Sequence, residues 1–315
     1  MFKVRFIYLL LVIANITACA GGPGASQPEV GTALPVTTAE ITEVATAVSA
    51  TMTETPTAAP RPTLAADEWK TLPIVPTISD TVRAIYQRGL EMGNNPNAFS
   101  KVGDCQTNTD FYLVDFDHTD RYSLGKEYAY LQGIIDYYQG SFSRTSLAMR
   151  DGFNVAAVLT PLRADPKKCE KGESPLACEY RSYNPSVALI SLETNFNGRT
   201  AEDYGKYMRQ IVEYTIEQGI VPILGTKADN KEGDNSINAE IAKIANEYDI
   251  PMWNFWAAAY PLPNHGFDIG LNDGFHLSFS RNFFDEPKNM RNAWPWRNLT
   301  ALQVLDAVRR GLQEQ

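Results

Sequence analysis

From about residue 67 onward, short apolar runs of strand length alternate with longer stretches of helical periodicity. The predicted strands span residues 98–102, 155–159, 186–192, 220–224 and 250–256. The predicted helices span residues 80–92, 124–138, 201–218, 237–248 and 302–312. Strands that are apolar throughout and alternate with amphipathic helices are typical of a parallel sheet covered on both faces. The pattern therefore predicts one α/β domain over residues 67–315, a length that suits a single core.

The start of the chain has a different pattern. Lys3 and Arg5 precede an unbroken apolar run over residues 6–13, which is too short to span a bilayer permanently. Small residues then lead to Cys19, as in the lipobox, whose cysteine receives a diacylglycerol group. Residues 1–18 are therefore predicted to be a lipoprotein signal peptide. The alternatives are an ordinary cleaved signal or a short retained anchor helix.

Residues 20–66 are rich in Ala, Thr, Pro, Val and Glu and contain no aromatic residue. Such a segment buries too little apolar surface to offset the entropy of ordering. We expect residues 19–66 to form a lipidated, disordered tether. The predicted location is the outer face of the bacterial cytoplasmic membrane, with the N-terminal lipid as the only membrane attachment.

The charge balance limits the partners. The chain has 28 Lys and Arg against 37 Asp and Glu, a net charge of −9. This balance argues against a nucleic-acid partner and offers no basic patch for anionic lipid. We expect a monomer that binds a small-molecule or carbohydrate ester, with neither a metal nor an organic cofactor.

Three cysteines remain beyond Cys19. Cys169 and Cys178 lie nine residues apart in a polar segment, and export implies an oxidising compartment. A disulfide between them is predicted, with two unpaired surface thiols as the alternative. A metal site is not expected there, because neither a histidine nor a further cysteine is near in sequence. Cys105 is left as a free thiol, either inert or reactive.

Chemically capable side chains follow the predicted strands. Cys105 comes directly after the first strand, Asn195 after the strand over 186–192, and Asp273 and His276 beyond the last strand. Ligands of parallel α/β sheets bind at the carboxyl ends of the strands. A nucleophile, an imidazole base and an orienting carboxylate are the groups that acyl transfer requires.

These residues resemble the motifs of the SGNH/GDSL hydrolase superfamily. Residues 103–105 (Gly-Asp-Cys) stand where the family has Gly-Asp-Ser, and residues 273–276 (Asp-Gly-Phe-His) match its Asp-x-x-His block. Gly152 is the best match for the glycine of the second block, and Asn195 for the asparagine of the Gly-x-Asn-Asp block. The resemblance covers most of residues 95–280, in the order of the family.

The resemblance implies a flavodoxin-like three-layer α/β/α sandwich with a mostly parallel five-stranded sheet. It also implies a role for each matched residue. Cys105 would be the nucleophile, His276 the general base, and Asp273 the group that orients His276. The backbone amides of Cys105 and Gly152 and the side chain of Asn195 would form the oxyanion hole.

The sequence departs from the family in two blocks. Cys105 replaces the nucleophilic serine, while Glu193 and Phe196 replace Gly and Asp in the third block. If the site is active, an adjacent imidazolium lowers the pKa of the thiol and favours attack. If it is not, the larger sulfur is misplaced and catalysis is weak. Glu193 would oppose the oxyanion unless its side chain points away.

Three functions remain open. The first is a carboxylic ester hydrolase acting on small-acyl or carbohydrate O-acyl esters. The second is a catalytically weak or inactive protein of the same fold that binds cell-surface glycan or peptidoglycan. The third is a solute-binding or signal-binding lipoprotein of flavodoxin-like fold, for which the Asp-x-x-His motif would be a coincidence.

Overall fold

The computed structural model describes residues 62–194 and 198–313. The predicted signal peptide over 1–18, the lipidated Cys19 and the predicted tether as far as residue 61 lie outside the described residues. Leu64, at the end of that predicted tether, packs against the core of the domain. No helix within the described residues is long and apolar enough to cross a membrane.

The main sheet has four parallel strands in the order β1-β3-β4-β5. A second, small sheet pairs β2 with β6, also in parallel. The strands are β1 (Asn95–Gly103), β2 (Tyr122–Ser123), β3 (Pro185–Ser191), β4 (Val221–Gly225), β5 (Met252–Trp253) and β6 (Asn282–Phe283). Every residue of β3 and β4 is buried, so both faces of the sheet are covered there.

The helices lie in two groups against the main sheet. They are α1 (Asp80–Glu91), α2 (Gln132–Tyr137), α3 (Pro175–Tyr183), α4 (Ala201–Glu217), α5 (Ser236–Glu247), α6 (Phe255–Ala259) and α7 (Ala293–Gln313). Helices α4 and α5 pack on each other and on β4. Helix α1 packs on α7 and on β3 and β4. The predicted α/β class with a mostly parallel sheet is confirmed.

Side-chain caps fix where several helices begin. Ser174 Oγ accepts the backbone N–H of Ala177 at the start of α3, and Thr200 Oγ1 accepts that of Asp203 at the start of α4. Each cap satisfies a backbone donor that has no partner within its own helix. Helix α4 then buries Met208, Ile211 and neighbouring residues on one face, as its predicted periodicity requires.

Within the described residues, the main sheet has four strands, one fewer than the five predicted. The predicted strand over 155–159 contains instead a 3-10 helix, Ala157–Leu159. Asn154 accounts for the difference, because its side-chain oxygen accepts the backbone N–H groups of Ala156 and Ala157 and starts a helical turn. Apart from its pairing with β3, β1 has one isolated parallel bridge within the described residues, between Gly103 and Met149.

Two further elements are shorter than predicted. The helix predicted over 124–138 is regular only in α2, preceded by a 3-10 turn. The strand predicted over 250–256 ends at Trp253, because Asn254 caps α6 by accepting the backbone N–H of Ala257. In contrast, the predicted disulfide between Cys169 and Cys178 is present, with a Cα–Cα distance of 5.2 Å.

The carboxyl ends of the parallel strands lie at one edge of the main sheet, and β1 turns sharply there. A Cβ atom at Gly103 would lie 2.1 Å from Thr107 Oγ1 and 2.7 Å from the carbonyl oxygen of Ser191. Glycine is therefore required where β1 passes the end of β3 and leads into Cys105. This close approach places Cys105 at the edge where parallel sheets bind ligands.

Candidate active site

A buried carboxylate holds the turn that carries Cys105. Asp104 accepts the backbone N–H of Gln106 at 3.1 Å and that of Thr194 at 2.8 Å. Burial raises the pKa of Asp104, while these two hydrogen bonds act in the opposite direction. Asp104 thereby ties the turn after β1 to the loop after β3 and fixes the position of the Cys105 backbone.

His276 is oriented by Asp273. One carboxylate oxygen of Asp273 accepts the backbone N–H groups of Phe275 and His276, at 3.1 and 3.0 Å. The other oxygen is paired with Nδ1 of His276. The pKa of Asp273 is lowered to about 2, mainly by the hydrogen bond from the backbone N–H of His276. The carboxylate is thus ionised at neutral pH and faces Nδ1, so Nε2 is the ring nitrogen that can accept a proton.

The two halves of the site meet at one cavity. Cys105 and His276 both line a cavity of about 360 Å³. The side-chain amide of Gln106, next to Cys105, donates to the backbone carbonyl of Phe275, next to His276. Lys231 adds a second support, since its ammonium group donates to the carbonyl oxygen of Asp273 at 2.9 Å. The structure therefore places the thiol and the imidazole on one cavity, with the carboxylate of Asp273 on Nδ1 of that imidazole.

The electrostatic environment keeps the thiol protonated. Burial, together with the smaller effects of the carboxylates of Asp104 and Asp151, raises the pKa of Cys105 to about 11. This direction is opposite to the one expected from a neighbouring imidazolium. At neutral pH the sulfur carries its proton, so nucleophilic attack requires a base to remove it.

We expect alkylation of Cys105 to report this raised pKa. The rate with iodoacetamide should rise about tenfold per pH unit through pH 9, without a plateau, because only the thiolate reacts. At pH 7 the reaction should be about 100-fold slower than that of an ordinary thiol. Mass spectrometry of the Cys105 peptide measures the rate. A plateau beginning below pH 8 would show that the site lowers the pKa instead.

Only part of the predicted oxyanion hole lies within the described residues. Gly152 has a φ of +77°, a conformation that favours glycine, and follows Asp151, which lines the cavity. Asn195 lies outside the described residues, so its predicted role remains a prediction. The amide of Cys105 is the other predicted donor, at the turn held by Asp104.

Glu193 occupies a glycine-like backbone position. Its φ is +74°, the left-handed region that disfavours a side chain. The side chain is buried, pairs with Arg199 at 3.2 Å and accepts the backbone N–H of Val155 at 3.4 Å. Burial nevertheless raises the pKa of Glu193, against the effect of Arg199. These contacts hold a glutamate at the position where the SGNH/GDSL motif has glycine.

Sequence reasoning missed the apolar wall of the cavity. This wall is formed by Phe111, Leu271, Leu277, Phe279 and Trp294. The rings of Phe111 and Phe279 lie 4.5 Å apart, and those of Phe111 and Trp294 5.7 Å apart. The sequence does contain a signal for this wall, because apolar residues stand on both sides of His276: Leu271, Leu277 and Phe279.

Sequence reasoning also missed the support of Lys231. The buried Lys227 ammonium pairs with Asp229 at 2.8 Å and with Glu232. Burial raises the pKa of Asp229 to about 6, although Lys227 opposes the shift. Asp229 also accepts the backbone N–H of Lys231 at 3.3 Å. This buried cluster holds the segment from which Lys231 reaches the Asp273 loop.

No family model matches the sequence, and no curated protein matches it. Among solved structures, the chain matches an acetyl xylan esterase, AlAXEase, with a TM-score of 0.40 and 16% identity over 65% of this chain and 97% of that chain. It also matches a protein from Slackia heliotrinireducens that has been proposed to be an SGNH hydrolase, with a TM-score of 0.40 and 13% identity over 67% of this chain and 99% of that chain. The solved structures to which this chain is similar thus include an esterase and a proposed SGNH hydrolase.

Proposed function

We propose that this protein is an SGNH-type carboxylic ester hydrolase that acts through Cys105, His276 and Asp273. One observation carries the proposal. Cys105 and His276 are far apart in sequence, yet they line the same cavity, and Asp273 engages Nδ1 of His276. A nucleophile, a base and an orienting group in one cleft are the requirements of acyl transfer.

In the proposed reaction, Cys105 Sγ attacks the ester carbonyl while its proton moves to Nε2 of His276. The tetrahedral intermediate then breaks its carbon–oxygen bond, and the leaving alcohol takes the proton from Nε2. The product of this step is a thioester on Cys105. Water next attacks the thioester and gives a proton to Nε2. The carbon–sulfur bond breaks, the acid leaves, and the proton returns to Sγ.

The raised pKa of Cys105 makes His276 essential to this scheme. A thiol whose pKa is about 11 supplies almost no thiolate at neutral pH. Proton removal must therefore accompany attack, and the ionised Asp273 stabilises the imidazolium that forms. The proposed oxyanion donors are the amides of Cys105 and Gly152 and the side chain of Asn195.

The proposed substrates are esters of small acyl groups, with carbohydrate O-acyl esters as one class. A non-catalytic protein that binds glycan or peptidoglycan remains the second candidate function. The observation that favours it is the protonated, partly buried thiol of Cys105, next to two carboxylates that would also oppose an oxyanion. Measurable ester turnover that depends on the three residues decides between the two.

We also propose that the protein is exported and held at the membrane by lipid on Cys19. The support is the order of basic residues, short apolar run and lipobox in the sequence. Labelled palmitate should be incorporated in cells by the wild type and not by Cys19→Ser. Equal incorporation by both would contradict the proposal.

Hydrolysis of p-nitrophenyl acetate by the wild type and by Asp273→Asn tests the proposed activity. We expect turnover by the wild type and a kcat lower by about 10- to 100-fold in the variant, because His276 loses its orienting charge. The loss is moderate because His276 is half exposed, so water partly replaces the carboxylate.

The matched control is Asp268→Asn, which changes a carboxyl group of the same cavity. Asp268 accepts the backbone N–H groups of Gly270 and Leu271 through one oxygen, and asparagine keeps such an acceptor. This control should retain nearly the wild-type kcat. Absence of wild-type turnover, or equal losses in both variants, would contradict the proposed function.

A further inference from the structure

Exposed apolar side chains gather around the mouth of the catalytic cavity. The described residues expose eight large apolar side chains, and four of them lie here: Phe111, Ile269, Leu271 and Phe279. Such clustering differs from the scattered exposure that is normal on a soluble protein and marks a binding surface. We call these four residues the apolar rim.

The apolar rim connects two adjacent cavities. Phe111, Leu271 and Phe279 line the cavity that contains Cys105 and His276. Ile269 and Phe279 line a second cavity of about 320 Å³, and Asp268 also lines both. A ligand group that extends from the catalytic cavity across Phe279 would reach Ile269 in the second cavity, which polar side chains such as Asn292 and Arg291 also line.

The backbone that carries the rim is held in place. Phe267 forms an antiparallel bridge with Leu277, and Ser278 donates to the carbonyl of Gly266 through its N–H and its hydroxyl. The N–H of Trp294 donates to the carbonyl of Ser278. Three of the four rim side chains, those of Ile269, Leu271 and Phe279, are thus presented by a preorganised loop, which lowers the entropic cost of binding.

The charges of the catalytic cavity limit the ligand further. Among the described residues that line it, Asp151 and Asp268 are acidic, and none is a lysine or an arginine. An anionic group would be repelled and would find no cationic partner there. The cavity also has polar side chains, among them those of Asn108 and Thr109, but the four rim residues are apolar, and Trp294 is 5% exposed, so its ring faces are covered. A hydrocarbon chain or ring fits the rim better than a sugar, so among the proposed substrates the rim favours esters of apolar alcohols over carbohydrate esters.

We propose that the apolar rim binds a hydrocarbon group on the alcohol side of the substrate ester, a specificity that rests on the proposed function. The proton transfer determines that the alcohol side of the ester faces the rim. His276 must donate its proton to the leaving oxygen, so the leaving alcohol must lie next to His276. Leu271 and Phe279 flank His276 in sequence, and all three line the cavity. The acyl group projects instead toward the opposite side of the scissile carbonyl.

Two ester series test this specificity on the full-length protein. The first contains phenyl, 4-ethylphenyl and 4-butylphenyl acetate, in which the alcohol side grows while the basicity of the leaving group changes little. The second contains p-nitrophenyl acetate, butyrate and hexanoate, in which only the acyl side grows. Each series is measured with the wild type, Phe279→Ala and the control Leu162→Ala, which removes an apolar side chain that is 93% exposed elsewhere.

We expect kcat/KM of the wild type and Leu162→Ala to rise about two- to fourfold per methylene in the first series. In Phe279→Ala this rise should flatten, whereas the dependence on acyl length should match the wild type. Turnover without a dependence on alcohol size, or flattening of the acyl series alone in Phe279→Ala, would overturn the inference and leave the proposed function intact. No turnover of any ester by the wild type would instead overturn the proposed function, and the inference with it.

Discussion

Cys105→Ala is expected to hydrolyse p-nitrophenyl acetate with a kcat about 10⁴-fold below that of the wild type. The reason is chemical, because the variant cannot form the thioester that divides the reaction into two easier steps. Cys105 is partly exposed at the cavity, so its loss leaves the packed core unchanged. Steady-state kinetics measure the effect, with circular dichroism to verify folding.

Cys105→Ser is the matched control for this experiment. Serine keeps a nucleophilic atom at the same position, and its kcat should lie between those of Cys105→Ala and the wild type. A kcat for Cys105→Ala equal to that of the wild type would mean that the sulfur takes no part in the reaction. The second candidate function, binding without catalysis, would then be favoured.

His276→Ala should lower kcat by about 10³-fold at pH 7. Because the pKa of Cys105 is raised to about 11, the thiol needs this base at neutral pH. As the pH approaches 11 the thiol ionises without help, so the loss in the variant should narrow steadily. Measuring kcat of the wild type and of His276→Ala from pH 7 to pH 10 shows whether their two pH profiles converge.

His265→Ala is the control for the loss of a histidine. Its ring stacks on Tyr260 with centroids 4.5 Å apart, and Nδ1 lies 2.8 Å from the carbonyl oxygen of Tyr260. His265 does not line the catalytic cavity. This variant should keep the wild-type kcat at every pH. A deficit in His276→Ala that does not change with pH would contradict the role of His276 as the base for Cys105.

The sequence predicted the fold class, and it predicted that Cys105 and His276 would lie at one edge of the sheet, where both now line one cavity. Apolar strands alternating with helices form a parallel sheet, and the residues that follow its strands collect at one edge. The predicted disulfide of Cys169 and Cys178, nine residues apart in sequence, is likewise present.

Local hydrogen bonds explain where the observed elements differ from the predicted ones. Residues 155–159 are apolar and contain two valines, which favours a strand, yet Asn154 starts a helical turn by bonding the backbone just after it. Asn254 ends the strand at Trp253 by the same means. Hydrophobic periodicity alone does not report which asparagine side chains bond the backbone.

The raised pKa of Cys105 could be read only in part from its neighbours in sequence. Burial contributes most, and beside the adjacent Asp104, Asp151 raises the pKa from a different loop. The support of Asp273 by Lys231 also joins residues that are distant in sequence. These effects depend on distances between loops, which a pattern of apolar and polar positions does not contain.

The most direct test of the central claim is to trap the acyl group during turnover. The wild type is mixed with p-nitrophenyl acetate, quenched with acid, digested and analysed by mass spectrometry. We predict an acetyl group on the peptide that contains Cys105, released by hydroxylamine as a thioester, and no such group in Cys105→Ala. Turnover by the wild type with the acetyl group on another residue, or with none on Cys105 at any time, would contradict the claim that this sulfur is the nucleophile.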